Sequence, residues 1–468
     1  MTAVNVLAPI PQQAAAVPVR RSNRVVAVAS SAAVGLGLAL SAGPPALAHP
    51  PGVTERISVG PAGVAGDDTS TAAAVSADGR FVAFWSFASN LVAGDTNGTT
   101  DVFVRDRLTQ TTERVSVDSR ERQSVGGDAG GVLDTNLGRP AISGDGRFVA
   151  FACTATNLVK GDRNQVADVF VRDRVAGTTE RISMAGRKVE ANSDSSGPAI
   201  TSDGRFVAFS SFANNLAAGD ANFASDVFVH DRQASTTELV SVNSAEEQAN
   251  AGSGGAAITP NGRFVAFGSD ATNLVPGDVD DFASDVYLRD RATGTTEGIS
   301  TIAPPSGPVR HSGAPAISAD GQLVAFNSWD SNLVPGDTND RYDVFVFNRG
   351  TGTIERVSVT DAGVEGNNDS LGPALSADGR FVAFSSDADN LVAGDGNFDV
   401  DVFLHDRTAH TTVRVSVRTD GTETGFELAS FGASISADGR LVAFESEGAL
   451  VPEDSGFPVD IFTHQEPA

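Results

Sequence analysis

The sequence has few of the residues that cross-link a chain, stack on sugars or act as nucleophiles. It contains one cysteine, Cys153, so no disulfide can form within the chain, and the apolar run RFVAFACTATN around it predicts a buried thiol. Two tryptophans, Trp85 and Trp329, and two tyrosines offer few rings for binding polysaccharide. The GxSxG motif of serine hydrolases is absent, and the six histidines are scattered. No catalytic residue is therefore assigned from a motif.

Basic residues are also scarce. The chain has 33 Lys and Arg against 59 Asp and Glu, a formal net charge of -26. An acidic surface repels nucleic acid and anionic lipid and attracts cations. We therefore expect a monomer without a nucleic-acid partner, whose ligand is a protein or a cation.

The first 48 residues contain no acidic residue and are predicted to form a secretory signal peptide. Three arginines within 20–24 precede an apolar run over 25–40, and the small-residue motif ALA at 46–48 is typical of a cleavage site. A membrane-spanning helix needs about 20 apolar residues, and this run is shorter. We expect a mature domain over 49–468 that is exported to the periplasm or the extracellular medium without membrane insertion. The general secretory and twin-arginine routes both stay open.

The mature part also lacks a 3.6-residue apolar period, so helices are not expected. Instead, an Asp-Gly or Asn-Gly turn recurs seven times at spacings of 58 to 67 residues. Such pairs between apolar runs are strong hairpin signals, and a fixed period indicates a repeat architecture. The turns are at Asp78-Gly79, Asp145-Gly146, Asp203-Gly204, Asn261-Gly262, Asp320-Gly321, Asp378-Gly379 and Asp438-Gly439.

Each repeat is predicted to form four short strands. In the third copy they are GPAIT (197–201), FVAFSS (206–211), DVFVHDR (226–232) and TELVSV (237–242). The second strand is apolar on both faces, as a strand between two neighbouring sheets must be, whereas the fourth alternates and suits an outer position. The small residues of the first strand suit a crowded centre. Four-stranded sheets graded in this way and stacked around an axis predict an all-β fold, the β-propeller.

The two ends of the repeat array complement each other. The seventh repeat has no fourth strand, and TERISV (54–59) is a fourth strand with no repeat in front of it. Pairing them completes the last blade and leaves no open sheet edge. We therefore predict a seven-bladed propeller closed by its N-terminal strand.

The motifs GPAISxDGRFVAFxS and DVFVxDRxTGTTERVSV resemble the WD-repeat-like propeller repeats of the TolB type, over residues 51–468. The resemblance implies a periplasmic or secreted β-propeller that acts as a scaffold. TolB-type propellers often have six blades and an extra domain. This chain departs from both features, so a role in a transport complex does not carry over.

An acidic loop with the pattern GDxNxxxD follows the second strand of most repeats. It resembles the calcium loops of integrin-type blades, but it is about two residues shorter and lacks the acidic fifth position. Hard cations take oxygen ligands, so Ca²⁺ is a candidate cofactor, with backbone carbonyls and water completing its shell. The candidate metal ligands are Asp95, Asn97, Asp101, Asp162, Asn164, Asp168, Asp220, Asn222, Asp226, Asp278, Asp280, Asp285, Asp337, Asn339, Asp343, Asp395, Asn397 and Asp401.

A structural role is the alternative for these loops. The first aspartate and the asparagine would then accept hydrogen bonds from their own backbone in Asx turns, and the last aspartate would cap a strand. The recurrent RDR…TTER residues, such as Arg105, Asp106 and Glu113, are expected to form ion pairs across a hairpin. Because several similar loops surround one ring, they do not make the single asymmetric pocket that catalysis needs.

Two functions of different classes follow from the sequence. The first is a secreted, non-enzymatic binding or interaction propeller whose acidic face holds Ca²⁺ or contacts a protein or cationic partner. The alternative is a secreted hydrolase or lyase that acts on polysaccharide at the channel mouth, where the connections between repeats are most irregular. Its candidate residues are Asp134, Glu190, Arg310 and His311.

Overall fold

The computed structural model describes residues 52–126, 138–186, 188–278, 283–301, 311–423, 425, 428–454 and 456–467. Pro50–Ala468 is one compact unit and is a β-propeller. The predicted signal peptide over 1–48, and with it the predicted domain boundary, lies outside the described residues.

Seven antiparallel four-stranded sheets form the blades. In blades 1 to 6 the strands pair in chain order, and the first strands of neighbouring blades contact one another, so they form the inner ring. Blades 1 to 3 consist of Ser70–Val75, Phe81–Ser86, Asp101–Asp106 and Thr111–Arg114; Ala141–Ile142, Phe148–Cys153, Asp168–Asp173 and Thr178–Arg181; and Ser195–Ile200, Phe206–Ser211, Asp226–Asp231 and Thr236–Leu239. Blades 4 to 6 consist of Ser253–Ile258, Phe264–Ser269, Asp285–Asp290 and Thr295–Gly298; Ser312–Ile317, Leu323–Ser328, Asp343–Asn348 and Thr353–Arg356; and Ser370–Leu375, Phe381–Ser386, Asp401–Asp406 and Thr411–Arg414.

Blade 7 joins the two ends of the described chain. Its first three strands are Ser430–Ile435, Leu441–Ser446 and Asp460–Gln465, and its fourth is Val53–Arg56. Thr54 lies opposite His464, and the Ile57 amide donates to the Ile461 carbonyl at 2.7 Å. The predicted all-β fold, the seven blades and the closure by the N-terminal strand are confirmed.

The core is built from the second and third strands of every blade. Both faces of these strands are buried because each sheet packs between two others, whereas the fourth strands are half exposed. In each blade an aromatic ring of the second strand stacks on one of the third, as Phe84 does on Phe103 with centroids 5.9 Å apart. Truncating such a ring to alanine would cost about 3–5 kcal/mol.

The recurrent DGR turn connects the first and second strands of a blade and also contacts the third strand. In blade 1, Gly79 has φ 70°, which favours glycine, and the Asp78 carboxylate accepts hydrogen bonds from Ser76 Oγ at 2.6 Å and the Arg80 amide at 3.0 Å. Arg80 lies over the Phe81 ring and pairs with Asp106 at 2.6 Å.

The glutamate of the TTER motif pairs between blades. Glu113 contacts Arg174 of the next blade, and the same pair recurs as Glu55–Arg107 at 3.2 Å. The expected ion pairs are therefore structural, but this one joins two sheets and does not cross its own hairpin. The reason is geometric, because the fourth strand is the outer edge of one blade and faces the third strand of the following blade.

The part of the chain that the structure describes contains no helix with the length and apolar character of a membrane span.

Candidate functional site

One face of the propeller carries all the acidic loops. The loop after each second strand and the connection from each fourth strand to the next blade lie on this side, which we call the loop face; the DGR turns lie on the opposite turn face. The asparagine of the recurrent Asn-Leu pair links the acidic loop to the connection between blades. Asn90 Nδ2 donates to the Ala65 carbonyl at 2.8 Å, and Asn90 Oδ1 accepts from the Asp67 amide at 3.0 Å.

An arginine lies between the two aspartates of the blade 1 loop. Arg114 Nη1, from the fourth strand, is 2.9 Å from Asp95 Oδ1 and 3.3 Å from Asp101 Oδ2. Asn97 Nδ2 donates to Asp101 Oδ2 at 2.8 Å, and Ser116 Oγ donates to the other oxygen of that carboxylate. A guanidinium thus occupies the place between the carboxylates where the sequence predicts a metal ion.

The same arrangement recurs in four more blades. The arginines that contact both loop aspartates are Arg56, Arg114, Arg181, Arg356 and Arg414. Blade 7 is included although its loop departs from the GDxNxxxD pattern, because Asp454 and Asp460 still flank Arg56 at 3.4 and 3.2 Å. Sequence analysis missed this blade, since its loop has no asparagine at the third position.

Blades 3 and 4 have other side chains in place of the arginine. In blade 3, Leu239 takes that position, and Gln248 Nε2 donates to both Asp220 Oδ1 and Asp226 Oδ2 at 2.8 Å. In blade 4 the residue is Gly298, and the Tyr287 hydroxyl donates to Asp278. Asp280 lies outside the described residues.

The loop asparagines have mixed partners. Asn97 Oδ1 accepts from the Thr99 amide at 3.3 Å and Asn339 Oδ1 from the Arg341 amide at 2.8 Å, the geometry of an Asx turn. Asn164 Nδ2 and Asn397 Nδ2 donate to Asp168 and Asp401 at 2.8 and 3.0 Å. The amide nitrogen points at the carboxylate in these blades, so the asparagine neutralises part of the loop's own negative charge.

Burial raises the pKa values of several loop aspartates. Desolvation raises the pKa of Asp162 and of Asp395 to about 6, even though a guanidinium contacts each of them. Burial also raises the pKa of Asp168, Asp343 and Asp401. Burial penalises the charged form of a carboxyl group, so a positive charge beside these aspartates stabilises their ionised form.

Blade 5 brings a third carboxylate to the loop. Oxygens of Asp337, Asp343 and Glu365 lie within 4.8 Å of one another, and Arg356 Nη1 is 2.7 Å from Glu365 Oε2. Carboxylate oxygens suit a hard cation such as Ca²⁺ in kind. The guanidinium already contacts all three residues, so an ion would bind only by displacing it.

The described enzyme candidates lie in separate parts of the ring. Glu190, between blades 2 and 3, is 3.1 Å from Arg181, and His311, before the first strand of blade 5, accepts from the Ser284 amide at 3.1 Å. Asp134 and Arg310 lie outside the described residues. The third-strand histidines are structural: His230 bonds Thr237 at 2.8 Å, and burial lowers its pKa to about 4.

A second polar group, missed by sequence analysis, lies at the inner ring. Glu445 of blade 7 is buried and accepts a hydrogen bond from the Ala72 amide of blade 1 at 2.8 Å. Arg139, just before the first strand of blade 2, is exposed and donates to the Ala433 carbonyl at 2.9 Å. The sequence offers one signal for this group, because Glu445 is charged and its counterparts in the other repeats are not. These counterparts are Trp85, Ala152, Ser210, Gly268, Asn327 and Ser385.

Comparisons with known proteins identify the fold. No family model matches the chain, and a search of curated proteins finds no relative. Among solved structures, the chain is similar to the β-propeller domain of the Trilobed protease from Pyrococcus furiosus, with a TM-score of 0.52 and 11% identity over 86% of this chain and 97% of that one.

Two further structures have a lower TM-score. Oligogalacturonate lyase from Vibrio parahaemolyticus gives 0.48 at 14% identity, covering 89% of this chain and 91% of that one. TolB from Acinetobacter baumannii gives 0.38 at 14% identity, covering 75% and 65%. At such identities the likeness concerns the fold alone. The chain is a seven-bladed β-propeller, and its fold is similar to that of the β-propeller domain of the Trilobed protease.

Proposed function

We propose that this protein is a secreted, non-enzymatic binding propeller that contacts a protein partner through its loop face. The observation that carries the proposal is the placement of exposed aromatic side chains. Phe223 and Phe398, each beside a loop asparagine, are 84% and 74% exposed. The exposed aromatic residues among those described are Phe212, Phe223, Trp329, Phe398 and Phe457, and each belongs to a loop that follows a second strand.

The two faces differ in this respect. The exposed large apolar residues at the turn-face end of the described chain are Val53, Leu108 and Val175, all of them aliphatic. Aromatic side chains are enriched in protein interfaces and dominate their binding energy. The exposed aromatic side chains of the described residues are confined to the loop face, and this difference between the faces supports a docking role there.

The loop face carries exposed basic residues at blade 2, although the chain as a whole is acidic. The two lysines of the chain, Lys160 and Lys188, are both exposed at blade 2, together with Arg163. The acidic residues nearest to them are already used, since Arg181 contacts both Asp162 and Glu190. A partner that covers this face would therefore meet a positive corner on an otherwise acidic protein, which favours a protein surface of mixed charge over a free cation.

The test compares matched substitutions on the two faces. The variant F223S/F398S removes two exposed rings from the loop face, and L108S/V175S removes two exposed apolar side chains from the turn face. Each is immobilised and cross-linked to the extracellular proteins of cells that express it, and bound proteins are quantified by mass spectrometry.

We expect at least one protein to be retained by the wild type and by the turn-face variant, and to fall about tenfold with the loop-face variant. Equal retention by both variants contradicts the proposal. Turnover of a polysaccharide by the wild type would instead favour a hydrolase or lyase, for which the separation of Glu190 from His311 offers no support.

Calcium binding is a second part of the proposal. The loop oxygens are of the right kind for a hard cation. Burial raises the pKa values of several loop aspartates, so a divalent ion would stabilise their ionised form. Blade 5, with Asp337, Asp343 and Glu365, is the best candidate.

Export is the third part. The predicted signal peptide over 1–48 supports a periplasmic or extracellular location. The test is N-terminal sequencing of the protein recovered outside the cytoplasm, with a first residue at or near His49 expected. Recovery of the full-length chain in the cytoplasm alone contradicts it.

A further inference from the structure

The inner ring is nearly uniform, and it is broken at three adjacent blades. In six of the seven blades the third residue of the first strand is small and has a left-handed backbone: Ala72, Gly197, Gly255, Ala314, Gly372 and Gly432, with φ between 48° and 74°. Blade 2 has Arg139 at this position of the repeat, and its left-handed residue is Gly138, one position earlier, with φ 72°. At the fifth residue of the second strand, blades 1 and 7 have the large or charged residues Trp85 and Glu445.

A repeated hydrogen bond joins these two positions of the repeat. The fifth residue of a second strand accepts a hydrogen bond from the left-handed residue of the next blade: Ser385 from the Gly432 amide at 3.1 Å, and Glu445 from the Ala72 amide at 2.8 Å. From the same relation we infer that the side chain of Trp85 in blade 1 faces the backbone of Arg139 in blade 2. The three residues that break the ring are therefore neighbours around it.

Arg139 and Glu445 approach each other although blades 3 to 6 separate them along the chain, because closure of the ring leaves blade 1 between them. A Cβ atom added to Gly432 would lie 2.5 Å from Glu445 Oε1 and 2.9 Å from Arg139 Nη2, so both atoms border the same small volume. The guanidinium is exposed, and its Nη1 donates to the Ala433 carbonyl. Arg139 is thus an exposed cation at the described part of the inner ring, on a chain of net charge -26.

Trp85 supplies an independent sign that an acceptor belongs here. Its side chain is buried, and its indole Nε1 has no hydrogen-bond acceptor among the described residues. Buried donors in folded proteins are nearly always paired with protein, solvent or ligand. The indole N–H and the Arg139 guanidinium are two kinds of donor at the inner ring, and both suit an anionic acceptor.

We propose that Arg139, Trp85 and Glu445 form a binding site for a small carboxylate at the inner ring, with the Arg139 guanidinium as its anchor. Arginine binds planar carboxylates through parallel N–H donors, and the indole N–H would supply a further donor to the same anion. The site goes beyond the loop-face function and does not depend on it, because the inner ring and the exposed phenylalanines involve different residues.

Glu445 makes the site sensitive to pH. Burial raises the pKa of Glu445 to about 7, and the groups that face it are the Arg139 guanidinium and the Ala72 amide. A neutral Glu445 leaves the guanidinium to the ligand and can itself donate a hydrogen bond. An ionised Glu445 competes for Arg139, so carboxylate binding weakens as the pH rises through 7.

The test uses Trp85 as a reporter. In a W329F background Trp85 is the only tryptophan, and its fluorescence is titrated with sodium acetate and sodium succinate against sodium chloride and sodium phosphate at equal ionic strength. We expect a saturable change with the carboxylates only. R139Q should weaken binding at least about tenfold, whereas R120Q, which removes an exposed arginine of the loop face, should not change it.

The pH dependence distinguishes a binding site from a structural ion pair. Carboxylate affinity should fall up to about tenfold from pH 6 to pH 8 in the parent, and stay constant in E445Q, whose amide is always neutral. Circular dichroism establishes that each variant is folded. Equal titrations of R139Q and R120Q, or a chloride response equal to that of acetate, overturn the site, and tighter binding of phosphate than of carboxylates overturns its assignment to carboxylates.

Discussion

Blades 6 and 3 present the same acidic loop with different neutralising groups. In blade 6, Arg414 Nη1 lies 3.2 Å from both Asp395 and Asp401. In blade 3, a leucine replaces the arginine, and the amide of Gln248 donates to both aspartates. The comparison shows that the loop needs a donor between its two buried carboxylates, and that a charged or a neutral donor can serve.

The largest expected effect comes from removing the charged donor. R414L should lower the free energy of unfolding by about 3–5 kcal/mol, because Asp395 and Asp401 are left buried without their cation. Glu423 stands where blade 3 has Gln248 and is 3.0 Å from Arg414. The double variant R414L/E423Q recreates blade 3 and should recover at least about 1 kcal/mol. Urea denaturation at pH 7 measures both.

E355Q is the matched control for this prediction. Glu355 pairs with Arg407 between blades, but it is 46% exposed, and an exposed pair contributes at most about 1 kcal/mol. An R414L variant no less stable than E355Q contradicts the view that the arginine is the structural cation of the loop. A double variant less stable than R414L contradicts the equivalence of the two blades.

The blades could be predicted from the sequence, but the partner of each loop could not. The Asp-Gly turns and the apolar second strands are local signals, so the period and the pairing of 54–59 with the last repeat follow from them. Arg114 is on a different strand from Asp95 and Asp101, and only the blade geometry brings them together. The alternating TTER pattern shows that this arginine and Glu113 point to opposite sides, without showing what lies on each side.

The inner ring was harder still to predict. Arg139 and Glu445 are more than 300 residues apart, and their approach depends on ring closure. A comparison of each column of the repeat would have singled out both residues, because neither has a charged counterpart in the other blades. The calcium prediction rests on the loop pattern, and the arginines that occupy the loops come from another strand, so pattern alone does not determine the ligand.

Removal of the neutral donor in blade 3 should have a smaller effect. Q248L takes one amide away from Asp220 and Asp226, and we expect a loss of about 1–3 kcal/mol at pH 7. Burial raises the pKa of both aspartates, so protonation at pH 5 should reduce the loss. Urea denaturation at the two pH values measures this, with Q233L, an exposed glutamine of the turn face, as control. A loss equal to that of Q233L would show that the amide is dispensable.

Calcium should distinguish a loop with its arginine from one without it. In R356L the oxygens of Asp337, Asp343 and Glu365 no longer contact a guanidinium, and 5 mM Ca²⁺ is expected to raise the melting temperature by about 2–4 °C. The wild type should gain less, because the ion has to displace Arg356. Mg²⁺ is the control, since it prefers a smaller octahedral shell. Equal melting curves in Ca²⁺ and in chelator for both proteins reject calcium binding by this loop.

The smallest expected effect is on the pH dependence of stability. The pKa of Asp395 is raised to about 6 by burial, so the folded protein holds this proton more tightly than the unfolded chain, and the resulting stability is lost as the pH rises from about 4 through 6. Asp231 and Asp290, whose pKa values Arg205 and Arg263 lower to about 2, act oppositely, and their contribution is lost as the pH falls below about 4.

Stability should therefore be greatest near pH 4–5. In D395N the decline from pH 4 to 6 should be shallower by about 1 kcal/mol, a value reduced for the partial exposure of the loop. D389N, in an exposed position of the same blade, removes only a minor cause of the raised pKa of Asp395, so its decline should differ from that of the wild type much less than the decline of D395N does. Melting temperatures across this range measure the three proteins, and parallel curves for wild type and D395N would mean that Arg414 neutralises the blade 6 loop completely, as Gln248 in blade 3 cannot.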